Sequence, residues 1–156
     1  NITYGDENHL LQPWMVVLNH IILHIESFLS LTTNLCTLAV IVKYIHPVTQ
    51  SYLLIASLAA SDMTSAFFAP LLLTLFQLKG SRTWYPVCLF YQFWTIVLVY
   101  VGLANLVLIT VDRYIYITKP LRYDVLFSIK HVKVLILFVW VVVILQNIPI
   151  LFFMNE

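Results

Sequence analysis

The sequence predicts an all-α membrane protein, a bundle of four transmembrane helices, and two observations carry this prediction. Of its 156 residues, 62% are hydrophobic and 10% are charged, whereas soluble domains average about 45–50% apolar and about 25% charged residues. The apolar residues also collect in four runs, each long enough for the ~20 residues that a helix needs to cross a bilayer. These runs lack the apolar–polar alternation of membrane barrel strands, so helices are the spanning structure that fits them.

The four runs set the limits of the predicted helices. We place the helices at residues 14–42, 51–78, 87–117 and 131–153, with residues 1–13 as a preceding tail and 14–156 as the transmembrane domain. The short connections hold turn-forming residues, namely Pro47, Gly80, Pro86 and Pro120. Two further prolines, Pro70 and Pro149, fall inside the predicted second and fourth helices, where we expect kinks that a bundle tolerates.

The distribution of Lys and Arg predicts the orientation of the bundle. Loops one and three, with the helix ends beside them, hold Lys43, Arg113, Lys119, Arg122, Lys130 and Lys133, whereas the second loop holds only Lys79 and Arg82. Short cytoplasmic loops carry an excess of basic residues, so we expect loops one and three in the cytoplasm and the N-terminus outside. The sequence Asn1-Ile-Thr3 is an N-glycosylation sequon, which agrees with an extracellular N-terminus and makes Asn1 a predicted glycosylation site.

Composition and local patterns exclude several function classes. A net charge of +1 is too small to indicate a nucleic-acid partner. The sequence has no Gly-rich phosphate loop and no nucleophile–base arrangement, so we do not expect an enzyme. His20 and His24 lie four residues apart on one helix face and could supply half of a metal site, but no third ligand can be named, so we predict no metal site.

Asp62 is the most informative single residue, because it lies midway along the predicted second helix. A carboxylate near the centre of a bilayer is costly unless it faces protein or water, and such residues usually mark ion or proton sites. The alternative is a packing hydrogen bond to a neighbour such as Asn34 or Asn105.

The end of the third predicted helix carries the sequence Asp112-Arg113-Tyr114, which alone could be no more than an interfacial anchor. The longer stretch from Asp112 to Tyr123 resembles the third-helix end and second intracellular loop of rhodopsin-like G-protein-coupled receptors. Other landmarks fall at that family's spacing: Asn34 and Asp62 are 28 residues apart, and Arg113 lies 25 after Cys88, 7 before Pro120 and 27 before Trp140. The resemblance covers four helices of a seven-helix receptor fold, and we expect the other three to lie outside this sequence.

The resemblance implies a plasma-membrane receptor that passes an extracellular ligand signal to a heterotrimeric G protein. It implies that Asp112 holds Arg113 while the receptor is inactive, and that Arg113 swings free to meet the G-protein α subunit. Leu121, by the same resemblance, inserts into an apolar pocket on the G protein. The residues implied in coupling are Asp112, Arg113, Tyr114, Pro120, Leu121 and Tyr123.

The resemblance also implies sites within and above the membrane. Asp62 corresponds to an allosteric sodium site, with Asn34 and Asn105 as the other polar core residues. The position expected for a further oxygen ligand is Gly102, which has no side chain, although Asn105 and water could substitute. Cys88 corresponds to a cysteine that bonds to one in the second extracellular loop, which lies beyond this sequence.

Gln92, Thr95, Ile96 and Val99 share one face of the third helix and correspond to ligand-pocket residues, although ordinary interhelical packing explains them equally well. Amine receptors carry an acid where this sequence has Thr95, so the resemblance disfavours a biogenic amine and leaves the ligand unidentified. A rival interpretation is a stand-alone four-helix scaffold, or a transporter fragment in which Asp62 is an ion site. The repeat symmetry expected of a transporter is not visible.

Overall fold

The computed structural model describes the backbone of residues 5–79 and 85–149, and the side-chain environment of residues 14–75 and 88–149. In chain order the helices are α1 (Gly5–Tyr44), α2 (Gln50–Lys79), α3 (Tyr85–Thr118), the short α4 (Tyr123–Leu126) and α5 (Ile129–Asn147). A 3₁₀ turn (Pro120–Arg122) precedes α4. The predicted glycosylation site at Asn1 lies outside the described residues.

Within the described residues, four helices are long and apolar enough to cross a membrane, which confirms the all-α prediction. The candidate spans are Trp14–Tyr44, Gln50–Leu75, Cys88–Thr118 and Ile129–Asn147. The chain is therefore a multi-pass membrane protein.

The limits of all four helices differ from those predicted, by only one or two residues for α2 and α3 and by more for the first and last helices. The first helix begins at Gly5, nine residues before the predicted start, so most of the expected tail is helical. Hydropathy marks the part of a helix that meets lipid, whereas backbone hydrogen bonds carry the helix further. The last helix begins at Ile129, two residues early, because the Ser128 side chain accepts a hydrogen bond from the His131 backbone N–H and caps it. Pro149 lies in a turn after Asn147 rather than inside a helix, so the expected kink there was wrong.

The helices pack as a chain of neighbours in which α2 is central. It contacts α1 on one side and α3 on the other, and α5 packs against both α3 and α2. One apolar cluster lies where α3 meets α5, formed by Phe93, Val97, Val101 and Val143. A second joins the start of α2 to α4 and α5 and consists of Leu54, Tyr123, Phe127 and Val132. The second cluster fixes the loop after α3 against the bundle, and that loop forms the candidate site.

Large apolar side chains cover much of the described surface. Trp14 and Phe28 on α1 and Val134 and Leu137 on α5 each leave more than 60% of their area exposed. A soluble monomer rarely exposes contiguous apolar surface on this scale, whereas lipid or further helices cover it without cost.

Candidate functional site

The candidate site lies at the end of the bundle where α1 and α3 finish and α2 and α5 begin, here named the basic end. A pocket of about 390 Å³ opens there, and we call it the Arg113 pocket. It is formed by the first turn of α2, the last turns of α3 and the loop that follows. Its lining residues are Thr49, Gln50, Ser51, Tyr52, Arg113, Tyr116, Pro120, Tyr123 and Asp124.

Asp112 is fully buried beside this pocket, and both of its carboxylate oxygens accept hydrogen bonds from hydroxyl groups. Ser51 Oγ on α2 donates to one oxygen at 2.6 Å, and the Tyr123 hydroxyl on α4 donates to the other at 2.6 Å. Hydrogen bonds to a charged group are short and about twice as strong as neutral ones. The carboxylate therefore ties three separate elements together at the basic end.

The Tyr123 ring is held from two sides, which places its hydroxyl against Asp112. Its edge-to-face contact with Tyr116 has ring centroids 5.2 Å apart, and the Phe127 ring stacks on it at 6.4 Å. Burial, reinforced by the hydrogen bond to Asp112, raises the pKa of the Tyr123 hydroxyl above its usual value. The hydroxyl therefore keeps its proton at neutral pH and can donate it to the carboxylate.

Arg113 is exposed, although its neighbour Asp112 is buried. Consecutive residues on a helix point about 100° apart and do not face each other. Asp112 therefore points into the bundle and Arg113 toward the pocket and solvent. No ion pair joins them among the residues that the structure describes, so the partners of Asp112 here are hydroxyl groups and not the guanidinium that the resemblance implied.

The remaining predicted coupling residues lie on the outer surface of the same end. Leu121 is 99% exposed, and Tyr114 and Pro120 are also exposed. Tyr123, two residues after Leu121, is only 8% exposed. The short loop thus presents Leu121 outward while its tyrosine anchors it inward.

Asp62 lies in a different pocket, of about 200 Å³, between α1 and α2. The hydroxyl-bearing residues Ser27, Ser30 and Ser65 line it together with Glu26. Asn34 does not reach Asp62, because its amide donates instead to the backbone oxygen of Ser30 at 2.9 Å. The packing alternative, a bond from Asp62 to Asn34 or Asn105, is therefore absent among the described residues.

Two residues of α3, Asn105 and Gly102, were considered together with Asp62 in the predicted ion site. Asn105 is fully buried, and neither atom of its amide has a hydrogen-bond partner within the described parts of the chain. Gly102 has open space around it, since a Cβ added there would meet nothing within 4 Å. Nearby in the bundle, Trp140 Nε1 donates to Ser57 Oγ at 3.4 Å and links α5 to α2.

The four predicted ligand-pocket residues do not share one environment. Thr95 lines a small cleft between α2 and α3, whereas Gln92 and Val99 are exposed and Ile96 is half-buried. Cys88 is half-buried at the opposite end of α3 from Arg113 and forms no disulfide with Cys36.

Comparison with known protein families identifies the family of this chain. Residues 33–156, most of the chain, match the family described as "7 transmembrane receptor (rhodopsin family)". The chain belongs to the rhodopsin family of seven-transmembrane receptors. The matched residues include Asp62, the Arg113 pocket and the two long helices that line this pocket, α2 and α3.

Individual receptors of the family show moderate similarity. The chain is 34% identical to the histamine H2 receptor of Rattus norvegicus over 91 residues, which are 56% of this chain and 25% of that receptor. It is 27% identical to the G-protein coupled receptor 183 of Homo sapiens over 124 residues, 79% of this chain and 34% of the relative. With the growth hormone secretagogue receptor type 1 of Sus scrofa it shares 31% over 112 residues, 70% and 30% of the two chains.

The chain thus spans about a quarter to a third of the length of the relatives it matches. These relatives are receptors and not enzymes. They include amine receptors as well as receptors with other names, so similarity does not select a ligand class.

Sequence reasoning missed several residues that build the receptor's basic end. Ser51 and Gln50 open α2, and Gln50 Nε2 donates to Asp124 Oδ1 at 3.4 Å. A serine at the start of a membrane helix carries no signal that its partner lies 61 residues later. Only the packing of α2 against the end of α3 reveals the pair.

Proposed function

We propose that the full-length protein is a plasma-membrane receptor that couples an extracellular ligand to a heterotrimeric G protein through its basic end. Exposure of Arg113 at the mouth of a pocket, next to a fully buried Asp112, is the observation that carries the proposal. In this proposal the basic end faces the cytoplasm, in agreement with the excess of Lys and Arg in its loops.

The geometry supports Arg113 and Leu121 as contact residues for the G protein. An exposed guanidinium has five donors in a rigid fork, which suits backbone carbonyls and the terminal carboxylate of a docked peptide. Leu121 exposes nearly its whole side chain on the loop beside it. Arg is enriched among the few residues that dominate the binding energy of protein interfaces.

The two hydroxyl groups that donate to the Asp112 carboxylate support a switch between two states. Each hydrogen bond to a buried charged group contributes about 1.5–3 kcal/mol. Bonds from Ser51 and Tyr123 therefore favour the loop conformation seen here. A ligand shifts such an equilibrium only by binding one of the two states more tightly than the other.

Replacement of Arg113 tests the coupling role. In the full-length receptor, Arg113→Ala should abolish ligand-stimulated nucleotide exchange on the G protein while surface expression stays unchanged. Arg122→Ala is the matched control, because Arg122 is an exposed basic residue of the same loop that does not line the pocket. Unaltered exchange in Arg113→Ala, or equal losses in both variants, would remove Arg113 from the coupling site.

The presence of Thr95 in place of an acidic residue supports the proposal that the ligand is not a biogenic amine. A buried ammonium group needs a negatively charged partner to offset its desolvation, and a threonine hydroxyl carries no charge. Membranes that carry the full-length receptor should therefore bind neither histamine nor tyramine at micromolar concentration. Saturable binding of either amine would overturn this part of the proposal.

Asp62 supports an ion site of the kind that the family resemblance implies. Its pocket offers the carboxylates of Asp62 and Glu26 and serine hydroxyls, which are the hard oxygen donors that a cation such as Na⁺ prefers. These donors come from α1 and α2, since Gly102 of α3 has no side-chain oxygen to add. NaCl should raise the thermal unfolding midpoint of the chain more than KCl does, and Asp62→Asn should remove the difference. Equal midpoints in the two salts would contradict an Asp62 sodium site.

A further inference from the structure

One face of α5 points away from the bundle and changes in character along the helix. Its residues follow the spacing i, i+3, i+4, i+7 and i+11, which places them on a single side of the helix. All of them are exposed, and we name them the outer face of α5: Lys130, Lys133, Val134, Leu137 and Val141. Val132 and Val143, on the opposite side, are buried in the two apolar clusters of the bundle. The outer face therefore begins with two cations and continues as an apolar stripe.

The two lysines lie at the depth of the lipid headgroups. The described helix α5 has 19 residues, and at about 1.5 Å per residue it is about 28 Å long. The hydrocarbon core of a bilayer is roughly 30 Å thick, so α5 crosses it only when its first turns reach the interface. Lys130 and Lys133 lie in those turns. Val134, Leu137 and Val141 then lie progressively deeper, beside the acyl chains.

No carboxylate neutralises the two lysines among the residues that the structure describes. Neither lysine forms an ion pair there, and the first turn of α5 holds no acidic residue. The two described acids of the basic end have other partners. Asp112 is buried and accepts hydrogen bonds from two hydroxyl groups, and Asp124 accepts one from Gln50 at 3.4 Å. Lysines three residues apart on a helix repel each other, so an anion bound between Lys130 and Lys133 is favoured.

We propose that the outer face of α5 binds an anionic phospholipid, with phosphatidylserine as the expected class. The phosphate and carboxylate oxygens of its headgroup accept hydrogen bonds from the ammonium groups of Lys130 and Lys133. Its acyl chains lie along Val134, Leu137 and Val141. An anionic lipid supplies a negative charge at the interface and hydrocarbon directly beneath it, which is the order of charge and apolar surface along this face.

The distribution of charge argues against two other occupants of this face. Copies of one chain in a membrane share their orientation, so a second copy on the same face brings its own Lys130 and Lys133 to the same interface. These like charges would meet without a carboxylate between them, which disfavours the contact. A soluble phosphate ion matches the lysines but leaves the apolar stripe beneath them without a partner.

Lipid binding at this face is independent of the proposed coupling to a G protein. Neither Lys130 nor Lys133 lines the Arg113 pocket. In the sequence the two lysines indicate only the orientation of the bundle. The packing of α5 shows in addition that they share an exposed face with an apolar stripe, and this combination points to a lipid.

Lipid titration of the purified full-length receptor, followed by native mass spectrometry, tests the proposal. The first molecule of phosphatidylserine should bind at least about fivefold more tightly than phosphatidylcholine. Lys130→Gln and Lys133→Gln should each weaken phosphatidylserine binding about fivefold, the contribution of one interfacial cation, and leave phosphatidylcholine binding unchanged. Lys43→Gln is the matched control, because Lys43 is an exposed lysine of the same membrane end in the last turn of α1. It should bind phosphatidylserine as the parent receptor does.

Equal weakening in Lys43→Gln and in the two α5 variants would overturn the site, because the preference would then belong to the basic end as a whole. Soluble glycerophosphoserine, which has the headgroup without acyl chains, separates a lipid site from an anion site. It should fail to displace phosphatidylserine at equal concentration, and displacement would overturn the lipid as occupant.

A photoreactive amino acid introduced at Leu137 identifies what covers the outer face in the full-length receptor. It should crosslink to phosphatidylserine, and the Lys130→Gln and Lys133→Gln double variant should lose this product. Crosslinking to another helix of the receptor or to a second copy, with no lipid product, would overturn the proposal.

Discussion

The hydrogen bond from Tyr123 to Asp112 should be a main stabilising contact of the basic end, and Tyr123→Phe removes it with little other change. The variant keeps the ring and therefore its contacts with Tyr116 and Phe127. It deletes only the hydroxyl that donates to Asp112 Oδ1 at 2.6 Å. The carboxylate is left with Ser51 as its one remaining hydrogen-bond donor among the described residues.

The expected loss follows from the burial of both partners. Asp112 is 0% exposed and Tyr123 is 8% exposed, so water cannot readily replace the lost donor. A hydrogen bond to a charged group contributes about 1.5–3 kcal/mol. In a chain of this length 1 kcal/mol corresponds to about 2–4 °C in Tm, so the midpoint should fall by roughly 3–12 °C.

Thermal unfolding of the purified chain in detergent, followed by circular dichroism, measures this loss. Tyr116→Phe is the matched control, since Tyr116 belongs to the same aromatic cluster but is 55% exposed. Its midpoint should move by less than about 1 °C, the size of an ordinary surface change. Equal midpoints for the two variants would refute the reasoning that the buried carboxylate depends on Tyr123.

Two further predictions concern positions on α3. Gly102→Ala should raise the midpoint of the chain, because a Cβ meets nothing within 4 Å and alanine is favoured over glycine in a helix by about 0.5–1 kcal/mol; a lowered midpoint would show a close neighbour at this position. Cys88→Ser should leave the unfolding of this chain unchanged but reduce folding or ligand binding of the full-length receptor. A full-length Cys88→Ser receptor with normal surface expression and normal ligand binding would contradict the predicted disulfide.

The sequence was sufficient to predict the helices, because hydropathy reports directly on contact with lipid. All four spans were predicted correctly in kind, and the errors lay at their ends. The early start of α1 follows from backbone hydrogen bonding beyond the membrane, which hydropathy does not register. The start of α5 could have been predicted from Ser128, because serine is a residue type that caps helices. The apolar pattern, on which the prediction was based, begins later.

The partners within the candidate site could not be predicted from sequence. Asp112 and Arg113 are adjacent in the chain, which favours the idea that they pair, yet adjacent residues on a helix point in different directions. The actual donors to Asp112 are 61 and 11 residues away. Such long-range contacts depend on how helices pack, and a single sequence holds no record of that packing.

The loop after α3 joins the hydrogen bonds of Asp112 to the proposed contact residue Leu121, which leads to a last prediction. Tyr123 holds Asp112 from inside the bundle, and Leu121 projects outward two residues earlier in the same 3₁₀ and helical segment. In the proposed function a G protein binds Leu121 and so acts on the element that holds Asp112, and we expect the two side chains to be coupled energetically.

A double-mutant cycle in the full-length receptor measures this coupling. Leu121→Ala and Tyr123→Phe, alone and combined, should change G-protein activation non-additively, with a coupling free energy of about 0.5–3 kcal/mol. Val125→Ala replaces Leu121→Ala in the control cycle, because Val125 is an exposed apolar residue of the same loop that is 76% exposed. Additive effects in the Leu121 cycle would mean that Leu121 and the hydrogen bond from Tyr123 to Asp112 act separately. Coupling in the Leu121 cycle but not in the Val125 cycle would show that the effect of G-protein binding is transmitted through the loop backbone to Asp112. Leu121 and Tyr123 point in opposite directions and are joined only by that backbone.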